Sequence, residues 1–218
     1  MNPAQVIVVI PVKPPAVAKS CLSGVLKPGP RTALARNLLW RVLKAVQGVA
    51  VHKTWVVGGD STVERAAQAA GAIWMPEEGS DLNKVLEHAF QKALQEGKAP
   101  MYLPADLPFL QPTDIHGLIH STGNLAQIAL APDRWGMGTN GILLTEDSPF
   151  RPALGPGSFQ RHLAQVAFLG MGLAIYYSPG LSRDLDTPED LGLFEAIAPG
   201  LTAELTGKPH FQERKETP

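Results

Sequence analysis

Cysteine is almost missing from this chain of 218 residues, in which Cys21 stands alone. One cysteine excludes an internal disulfide framework and a zinc site built from cysteines. An excess of charge of either sign is missing too, because the formal net charge is −1. The chain as a whole therefore has no general attraction for nucleic acid or for an anionic membrane, and any anion site must be local.

Long apolar runs are missing as well. None approaches the roughly 20 consecutive apolar residues that a bilayer span requires. The first apolar segment begins close to the N-terminus with no basic leader ahead of it, so a signal peptide is not indicated. A hydrophobic content of 44% and a charged content of 18% are instead typical of a globular chain. We expect a cytoplasmic protein with neither nucleic acid nor membrane among its partners.

The chain does contain an alternation of β-branched segments with amphipathic ones. The uninterrupted apolar run at residues 6–10 is typical of a strand buried on both faces. Further strands are predicted at residues 54–57, 73–75, 101–103, 128–131, 141–144 and 173–177. Helices are predicted from residues 31 and 61, at residues 82–94, 112–120 and 159–168, and from residue 188. This order predicts an α/β fold, a sheet with helices on both faces.

No linker or internal repeat divides the chain, so a single domain is expected over residues 1–198. Residues 199–218 are expected to form a polar, frayed tail. Ligands of open α/β sheets bind outside the carboxyl ends of the strands. The loops that follow the predicted strands are therefore where a site is expected.

Two lysines lie beyond the first strand. Lys13 is part of the stiff loop Pro-Val-Lys-Pro-Pro, and Lys19 lies six residues further on. Both could be ordinary solvated lysines, but the rigid loop favours a cation aimed at a ligand. The first strand is not followed by Gly-x-Gly-x-x-Gly, and Gly-x-x-x-x-Gly-Lys-Ser/Thr is absent from the chain. These absences argue against a dinucleotide dehydrogenase and a P-loop NTPase.

Two aspartates also follow predicted strands. Asp106 lies between two prolines beyond the strand at residues 101–103, and Asp186 lies between the last strand and the last helix. Taken singly, Asp106 could be a turn residue, and Asp184 or Asp186 could favour the next helix electrostatically. Together, Asp106 and Asp186 would supply the one or two carboxylates that Mg²⁺ takes beside phosphate oxygens and water. The pair therefore predicts a Mg²⁺ site.

Two glycine-rich loops could hold an anion. Residues 155–158, Gly-Pro-Gly-Ser, precede an amphipathic helix, where free backbone N–H groups and the Ser158 hydroxyl make an anion pocket. Ser158 could instead simply cap that helix. A second such loop ends in Thr139. From their order along the chain, we infer one shared pocket for a substrate with a phosphate and a carboxylate.

The remaining candidates are weaker. His116 and His120 are spaced i,i+4 and could bind a metal, although a surface helix is the favoured interpretation. His162 follows Ser158 by one helical turn and is placed to hydrogen-bond near the anion. Cys21 has no general-base partner in the sequence, so it is not predicted to be a nucleophile.

These segments, in this order, resemble the 2-phospho-L-lactate or phosphoenolpyruvate guanylyltransferases that make the deazaflavin coenzyme F(420). The likeness spans roughly residues 6–197. It rests on Pro11-Val12-Lys13, Ala18-Lys19-Ser20, Leu82-Asn83, Pro104-Ala105-Asp106-Leu107-Pro108, Ala131-Pro132-Asp133-Arg134, Gly138-Thr139-Asn140, Gly155-Pro156-Gly157-Ser158-Phe159, His162 and Asp184-Leu185-Asp186-Thr187-Pro188-Glu189-Asp190-Leu191. No single segment is decisive, but their order and context are specific.

The resemblance implies a mostly parallel, Rossmann-like sheet of the nucleotide-diphospho-sugar transferase or glycosyltransferase-A type, close in fold to the molybdenum-cofactor guanylyltransferases. It implies a Mg²⁺-dependent enzyme that joins GMP from GTP, its co-substrate, to phosphoenolpyruvate or 2-phospho-L-lactate and releases pyrophosphate. It also implies that the product is handed to the next transferase of coenzyme F(420) biosynthesis. A homodimer is left open.

The resemblance also assigns roles to individual residues. Asp106 and Asp186 would be the Mg²⁺ ligands and, with Lys13, the catalytic residues. The residues expected to contact the phospho-acid are Thr139, Gly155 and Ser158. The residues expected to bind the nucleotide are Lys13, Lys19 and Asn83.

Two positions depart from the pattern of the family. Cys21 stands where an arginine is usual, and Asp81 stands where a glycine is usual. Both could lower the rate or change the choice of nucleotide. The sequence also leaves open a molybdopterin or sugar-phosphate nucleotidyltransferase on the same fold, and a regulatory module that binds a nucleotide without turnover. Among phosphoenolpyruvate, 2-phospholactate and 3-phosphoglycerate it makes no choice.

Overall fold

A computed structural model describes residues 3–77, 81–124 and 126–208 of the chain. Those residues form seven strands and eight α-helices, and two short 3-10 turns occupy Pro3–Gln5 and Ser20–Leu22. The strands are β1 (Val6–Pro11), β2 (Lys53–Val57), β3 (Ile73–Met75), β4 (Ala99–Tyr102), β5 (Ile128–Pro132), β6 (Thr139–Leu143) and β7 (Leu173–Ile175). The helices are α1 (Pro28–Gln47), α2 (Ser61–Ala69), α3 (Leu82–Gln95), α4 (Pro112–Ser121), α5 (Ser158–Phe168), α6 (Pro179–Ser182), α7 (Pro188–Ile197) and α8 (Leu201–Thr206).

All seven strands belong to one sheet in the order β3-β2-β1-β4-β6-β5-β7. Strand β1 lies at the centre of the parallel part and pairs with both β2 and β4. Strand β6 runs antiparallel to both of its neighbours, β4 and β5. The predicted α/β fold with a mostly parallel sheet is confirmed, and one reversed strand brings the start of β6 to the same edge as the end of β4.

Helices cover both faces of the sheet, as predicted. Along β1, Val6, Val8 and Ile10 pack with residues of α1, α2 and α4. The alternate residues Ile7 and Val9 pack with α3 and α5 on the opposite face. Side chains alternate between the faces of a strand, so a strand covered on both sides needs the uninterrupted apolar run that β1 has. None of these five side chains is exposed to solvent.

Helix α1 begins three residues earlier than predicted, at Pro28 rather than at Arg31. The prolines at positions 28 and 30 do not prevent this, because the first N–H groups of a helix have no intrahelical partner and proline lacks only that group. Strand β6 also begins earlier than predicted, at Thr139. Helix α6 is a single turn that was not predicted; the hydroxyl of Ser178 caps it by accepting a hydrogen bond from the Leu181 N–H.

The prediction of a frayed tail from residue 199 is wrong for residues 201–206, which form α8. Leu201 and Leu205 are buried against α1 and α7. Asn37, in the middle of α1, donates a hydrogen bond to the carbonyl oxygen of Leu205 over 2.8 Å. Two leucines one turn apart suffice to bury this face, but six residues are too few for a sequence pattern to show it. Residues 209–218 lie outside the described part.

None of the described helices is long and apolar enough to span a membrane.

Candidate active site

The carboxyl ends of β1 and β4 open into a cleft of about 370 Å³. Four of the residues predicted from the sequence line it: Lys13, Lys19, Asp106 and Asp186. Lys13 and Lys19 follow β1 and Asp106 follows β4, whereas Asp186 lies between α6 and α7. The fold thus brings together residues that are distant in the chain. The structure therefore unites the predicted lysines with the predicted carboxylates in one place.

Lys19 joins the two aspartates. Its Nζ lies 2.5 Å from Asp106 Oδ2 and 2.7 Å from Asp186 Oδ1. Burial alone would lower the pKa of Lys19, but the two carboxylates outweigh it and raise the pKa above the usual value. Its backbone has φ 56° and ψ 37°, the left-handed region that non-glycine residues enter at a cost of about 1 kcal/mol or more. Two ion pairs thus hold the ammonium group of Lys19 between the two aspartates.

The side chain of Asp106 is partly buried, with 23% of its surface exposed. Burial raises the pKa of Asp106, an effect that Lys19 opposes and Asp186 reinforces. In the described part of the chain, Oδ1 of Asp106 is buried without a hydrogen-bond partner. A buried acceptor left without a partner costs about 1–3 kcal/mol, and more when it is charged. A cation bound in the cleft would remove that cost.

The donor set fits Mg²⁺. Among the described residues, no group of three or more His, Cys, Asp or Glu side chains is arranged to hold a metal by itself. Mg²⁺ does not need such a cage, because it commonly takes one or two protein carboxylates and completes its shell with phosphate oxygens and water. Asp106 and Asp186 are the residues that would hold it. Their oxygens meet at one ammonium group, which shows that a single cation can contact both.

A third carboxylate, which the sequence did not point to as a site residue, belongs to the same group. Asp184 Oδ1 accepts a hydrogen bond from Asn140 Nδ2 over 2.9 Å. Burial raises the pKa of Asp184 to about 6, and the negative charges of Asp106 and Asp186 act in the same direction. Asn140 stands on β6 beside Thr139, so this bond links the acidic cleft to the predicted phospho-acid loops. The segment Gly138-Thr139-Asn140 is the feature of the sequence that could have pointed to this hydrogen bond.

The loop that carries Asp186 is held by Asp190. One oxygen of Asp190 accepts the backbone N–H groups of Asp186, over 2.9 Å, and Thr187, over 2.7 Å. The other oxygen pairs with Arg134. Thr187 caps α7 and forms a capping box with Asp190, as the Thr-Pro-Glu-Asp pattern predicts. The start of α7 therefore fixes the backbone of a proposed metal ligand.

Three polar side chains meet at the start of α5. Thr139 Oγ1 lies 2.9 Å from His162 Nδ1 and 3.3 Å from Ser158 Oγ, and all three side chains are buried. The alternative that Ser158 caps α5 is wrong, because the N-cap is Gly157, in the left-handed conformation at φ 70°. Gly155 has φ 116°, a conformation that requires glycine. The predicted phospho-acid residues Thr139, Gly155 and Ser158 thus lie around one loop.

Asn83 is engaged with the same loop. Its side chain donates to the Leu154 carbonyl over 3.3 Å and accepts the Leu154 N–H over 2.6 Å. Asp81 caps α3 by accepting the N–H of Asn83 over 2.9 Å. The predicted contact of Asn83 with a nucleotide stays a prediction, and the structure adds that Asn83 ties α3 to the loop before Gly155. At Asp81 the departure from the family pattern supplies a helix cap.

Three other residues considered in the sequence, Cys21, His116 and His120, take no part in the contacts described above. Cys21 is a free, exposed thiol. His116 is half-buried and His120 exposed on α4, and neither belongs to a metal-binding group among the residues that the structure describes.

The family model described as "Guanylyl transferase CofC like" matches residues 6–200 of the chain. The chain belongs to this family. The resemblance expected from the sequence segments is thereby confirmed. Phosphoenolpyruvate guanylyltransferase from Rubrobacter xylanophilus is 38% identical over 193 residues, which cover 88% of this chain and 94% of the relative. The enzyme of the same name from Sphaerobacter thermophilus is 36% identical over 195 residues, with the same shares of both chains covered.

Solved structures agree on the fold. A candidate nucleotide-diphospho-sugar transferase from Desulfovibrio desulfuricans superposes with a TM-score of 0.74 at 17% identity, covering 94% of each chain. Glucosyl-3-phosphoglycerate synthase from Mycobacterium tuberculosis, solved with Mg²⁺ and uridine diphosphate, has a TM-score of 0.57 at 15% identity and covers 97% of this chain and 81% of its own. The expected nucleotide-diphospho-sugar transferase fold is confirmed.

Proposed function

We propose that this guanylyl transferase family member joins GMP from GTP to phosphoenolpyruvate and releases pyrophosphate, as a step of coenzyme F(420) biosynthesis. One observation carries the proposal. Asp106 and Asp186 both contact the ammonium group of Lys19, in a cleft that Lys13 also lines. The names of the relatives support phosphoenolpyruvate as the acceptor.

The reaction forms a bond between a phosphate oxygen of the acid and the α-phosphorus of GTP, while the bond from that phosphorus to the leaving pyrophosphate breaks. A phosphate monoester has its second pKa near 6, so the attacking oxygen is already anionic at neutral pH and needs no strong general base. Catalysis then consists of positioning and charge neutralisation. Bound Mg²⁺, held by Asp106 and Asp186, supplies part of that neutralisation.

The chain's own residues divide the remaining work. Lys13 and Lys19 bind phosphate oxygens of the nucleotide, and Lys19 must leave at least one of its two carboxylates to do so. Thr139, Gly155 and Ser158 hold the phospho-acid. Asn83 positions the loop between the two ligands. The side chain of Asp190 keeps Asp186 in place by accepting a hydrogen bond from the backbone N–H of Asp186.

Release of pyrophosphate tests the proposal. The purified protein is incubated with Mg²⁺ and GTP, CTP or ATP, each against phosphoenolpyruvate, 2-phospho-L-lactate and 3-phosphoglycerate. We expect release with GTP and phosphoenolpyruvate above all other pairs. A preference for 2-phospho-L-lactate would correct the acceptor, whereas activity only with a sugar phosphate or molybdopterin would assign the sibling reaction. Nucleotide binding without pyrophosphate from any pair would indicate a regulatory module.

Cytoplasmic location, assembly as a homodimer and hand-over of the product to the next transferase remain predictions. Gel filtration of the purified chain measures the second of these directly.

A further inference from the structure

His162 uses both of its ring nitrogens inside the protein. The residue stands one turn into α5 and none of its surface is exposed. Its Nε2 accepts the backbone N–H of Ala153 over 2.9 Å, and its Nδ1 lies 2.9 Å from Thr139 Oγ1. The ring thus joins the start of β6 to the loop that leads to Gly155.

The Ala153 N–H determines the tautomer of the ring. A nitrogen that accepts a hydrogen bond must present its lone pair, and a neutral imidazole carries its single proton on the other nitrogen. The ring is neutral, because burial and, secondarily, the charge of Arg161 lower the pKa of His162 to about 4. The proton therefore resides on Nδ1, and His162 donates to the hydroxyl oxygen of Thr139.

This direction decides how many protons the hydroxyl pair can offer to a ligand. Thr139 and Ser158 have one hydroxyl proton each, and the 3.3 Å bond between them uses one. With His162 as the donor, the other proton stays available for an outside acceptor. With the opposite tautomer, Thr139 would donate to the ring and Ser158 to Thr139, so no proton would remain.

The loop around this pair is held by independent contacts. Arg161 donates from its guanidinium to the carbonyl oxygens of Ala153, over 2.8 Å, and of Pro156. Asn83 holds Leu154 at both backbone groups. The loop therefore does not depend on His162 alone. His162 can be substituted without disrupting the loop.

We propose that His162 is a positioning residue for the phospho-acid: by donating to Thr139, it reserves one hydroxyl proton of the Thr139–Ser158 pair for an anionic oxygen of the substrate. The proposal rests on the proposed function for the identity of that anion. It is independent of which nucleotide is used, because His162 acts on the acid side of the site only.

Two conservative variants separate the two hydrogen bonds of the ring. In His162→Asn the side-chain amide nitrogen falls near the position of Nδ1 and still donates to Thr139. In His162→Gln the amide oxygen reaches the position of Nε2 and still accepts from Ala153. We expect the KM for phosphoenolpyruvate to rise about ten- to a hundredfold in His162→Gln, because without a donor at the Nδ1 position the Thr139 hydroxyl is no longer held with its proton towards the substrate, which weakens a hydrogen bond to a charged group. In His162→Asn, which keeps the donor, we expect a rise of less than about threefold. The KM for GTP stays unchanged in both.

The melting temperatures of both variants show whether a change in KM arises only from a loss of stability. If the KM for phosphoenolpyruvate rises equally in both, or follows the melting temperature rather than the retained donor, the proposal is overturned. A double-mutant cycle adds a second criterion. In a Thr139→Val background, the change from His162 to Gln is expected to leave the KM for phosphoenolpyruvate where Thr139→Val alone puts it.

Calorimetric titration with phosphoenolpyruvate and with inorganic phosphate keeps this test separate from the reaction itself. If the wild-type protein binds these anions but transfers no guanylyl group, the proposed function fails, and the order of affinities, wild type and Asn above Gln, still decides the role of His162. If the wild type binds neither anion, the proposal for His162 fails as well.

Discussion

The two halves of the site are built in opposite ways. On the proposed metal side, charged groups meet at a cleft. The side chain of Asp186 is 57% exposed, and one oxygen of Asp106 has no hydrogen-bond partner among the described residues. The proposed phospho-acid side consists of buried, neutral side chains, in which Thr139 is hydrogen-bonded to both Ser158 and His162. The charged half is held by its own lysine, which bound ligands would replace, whereas the neutral half is already joined by hydrogen bonds. The cost of burying charged groups is thus confined to the half that contains the aspartates and Lys19.

The largest effect is expected from Asp106→Asn. The substitution keeps the shape of the side chain but removes a charge that would hold Mg²⁺, and such charge stabilisation is worth several kcal/mol in the transition state. We expect kcat for pyrophosphate release to fall roughly 1,000-fold, which corresponds to about 4 kcal/mol. The fold is expected to persist, because the asparagine still fills the same buried space.

Ser158→Ala is the matched control from the acid side. It removes one neutral hydroxyl, so we expect the KM for the phospho-acid to rise more than the KM for GTP. Asp106→Asn with undiminished turnover would remove Asp106 from the metal site. Equal effects of Ser158→Ala on both substrates would contradict the division into halves.

The neutrality of the acid side makes a prediction for stability against pH. Burial lowers the pKa of His162 to about 4 from an ordinary value of 6.5, so the unfolded chain binds a proton more readily than the folded one. The corresponding stability is present above pH 6.5 and is lost as the pH falls towards 4. The full loss is about 3 kcal/mol. Urea unfolding of the wild type and of His162→Asn at pH 7.5 and pH 4.5 measures it.

The comparison with the variant matters, because Asp184 titrates in the same range with the opposite sign. Its pKa is raised to about 6, so its contribution to stability is present at low pH and is lost as the pH rises through that value. Both proteins contain Asp184, so its contribution cancels in the difference between them. A wild type that loses no more stability on acidification than His162→Asn would show that the buried ring is not held neutral.

The two halves also differ in how far the sequence predicts them. Asp106 and Asp186 were both expected beyond predicted strands, and the carboxyl ends of parallel strands share an edge, so their meeting was predictable. The single turn α6, which separates β7 from Asp186, was not. Lys19 was predicted to belong to the site, but its ion pairs with both aspartates were not predictable, because they depend on a left-handed residue within an irregular loop. The loop that holds Leu154 and Ala153 has no regular structure either, so the bonds from Asn83 and His162 to its backbone have no local signal.

Errors at the helix ends have the same origin. Ser158 follows two glycines before an amphipathic helix and fits the pattern of a cap, but the left-handed Gly157 takes the cap position and places Ser158 in the first turn. That shift turns its hydroxyl towards Thr139 rather than towards a backbone N–H. Backbone conformation at one glycine thus decides whether Ser158 caps the helix or lies in its first turn.

The smallest effect is expected from Lys19→Met, which tests whether the charged half is held by its own lysine. Without the ammonium, Asp106 and Asp186 face each other uncompensated, so the metal-free protein is destabilised and a cation no longer competes with Lys19 for the two acids. We expect Mg²⁺ to bind roughly tenfold more tightly, about 1.4 kcal/mol, and to raise the melting temperature of the variant by more than that of the wild type.

Calorimetry with Mg²⁺ alone measures the affinity, and melting with and without Mg²⁺ measures the stabilisation. The control is Lys53→Met, at an ion pair with Glu96 outside the cleft. Weaker Mg²⁺ binding by Lys19→Met would show instead that the lysine helps to build the metal site.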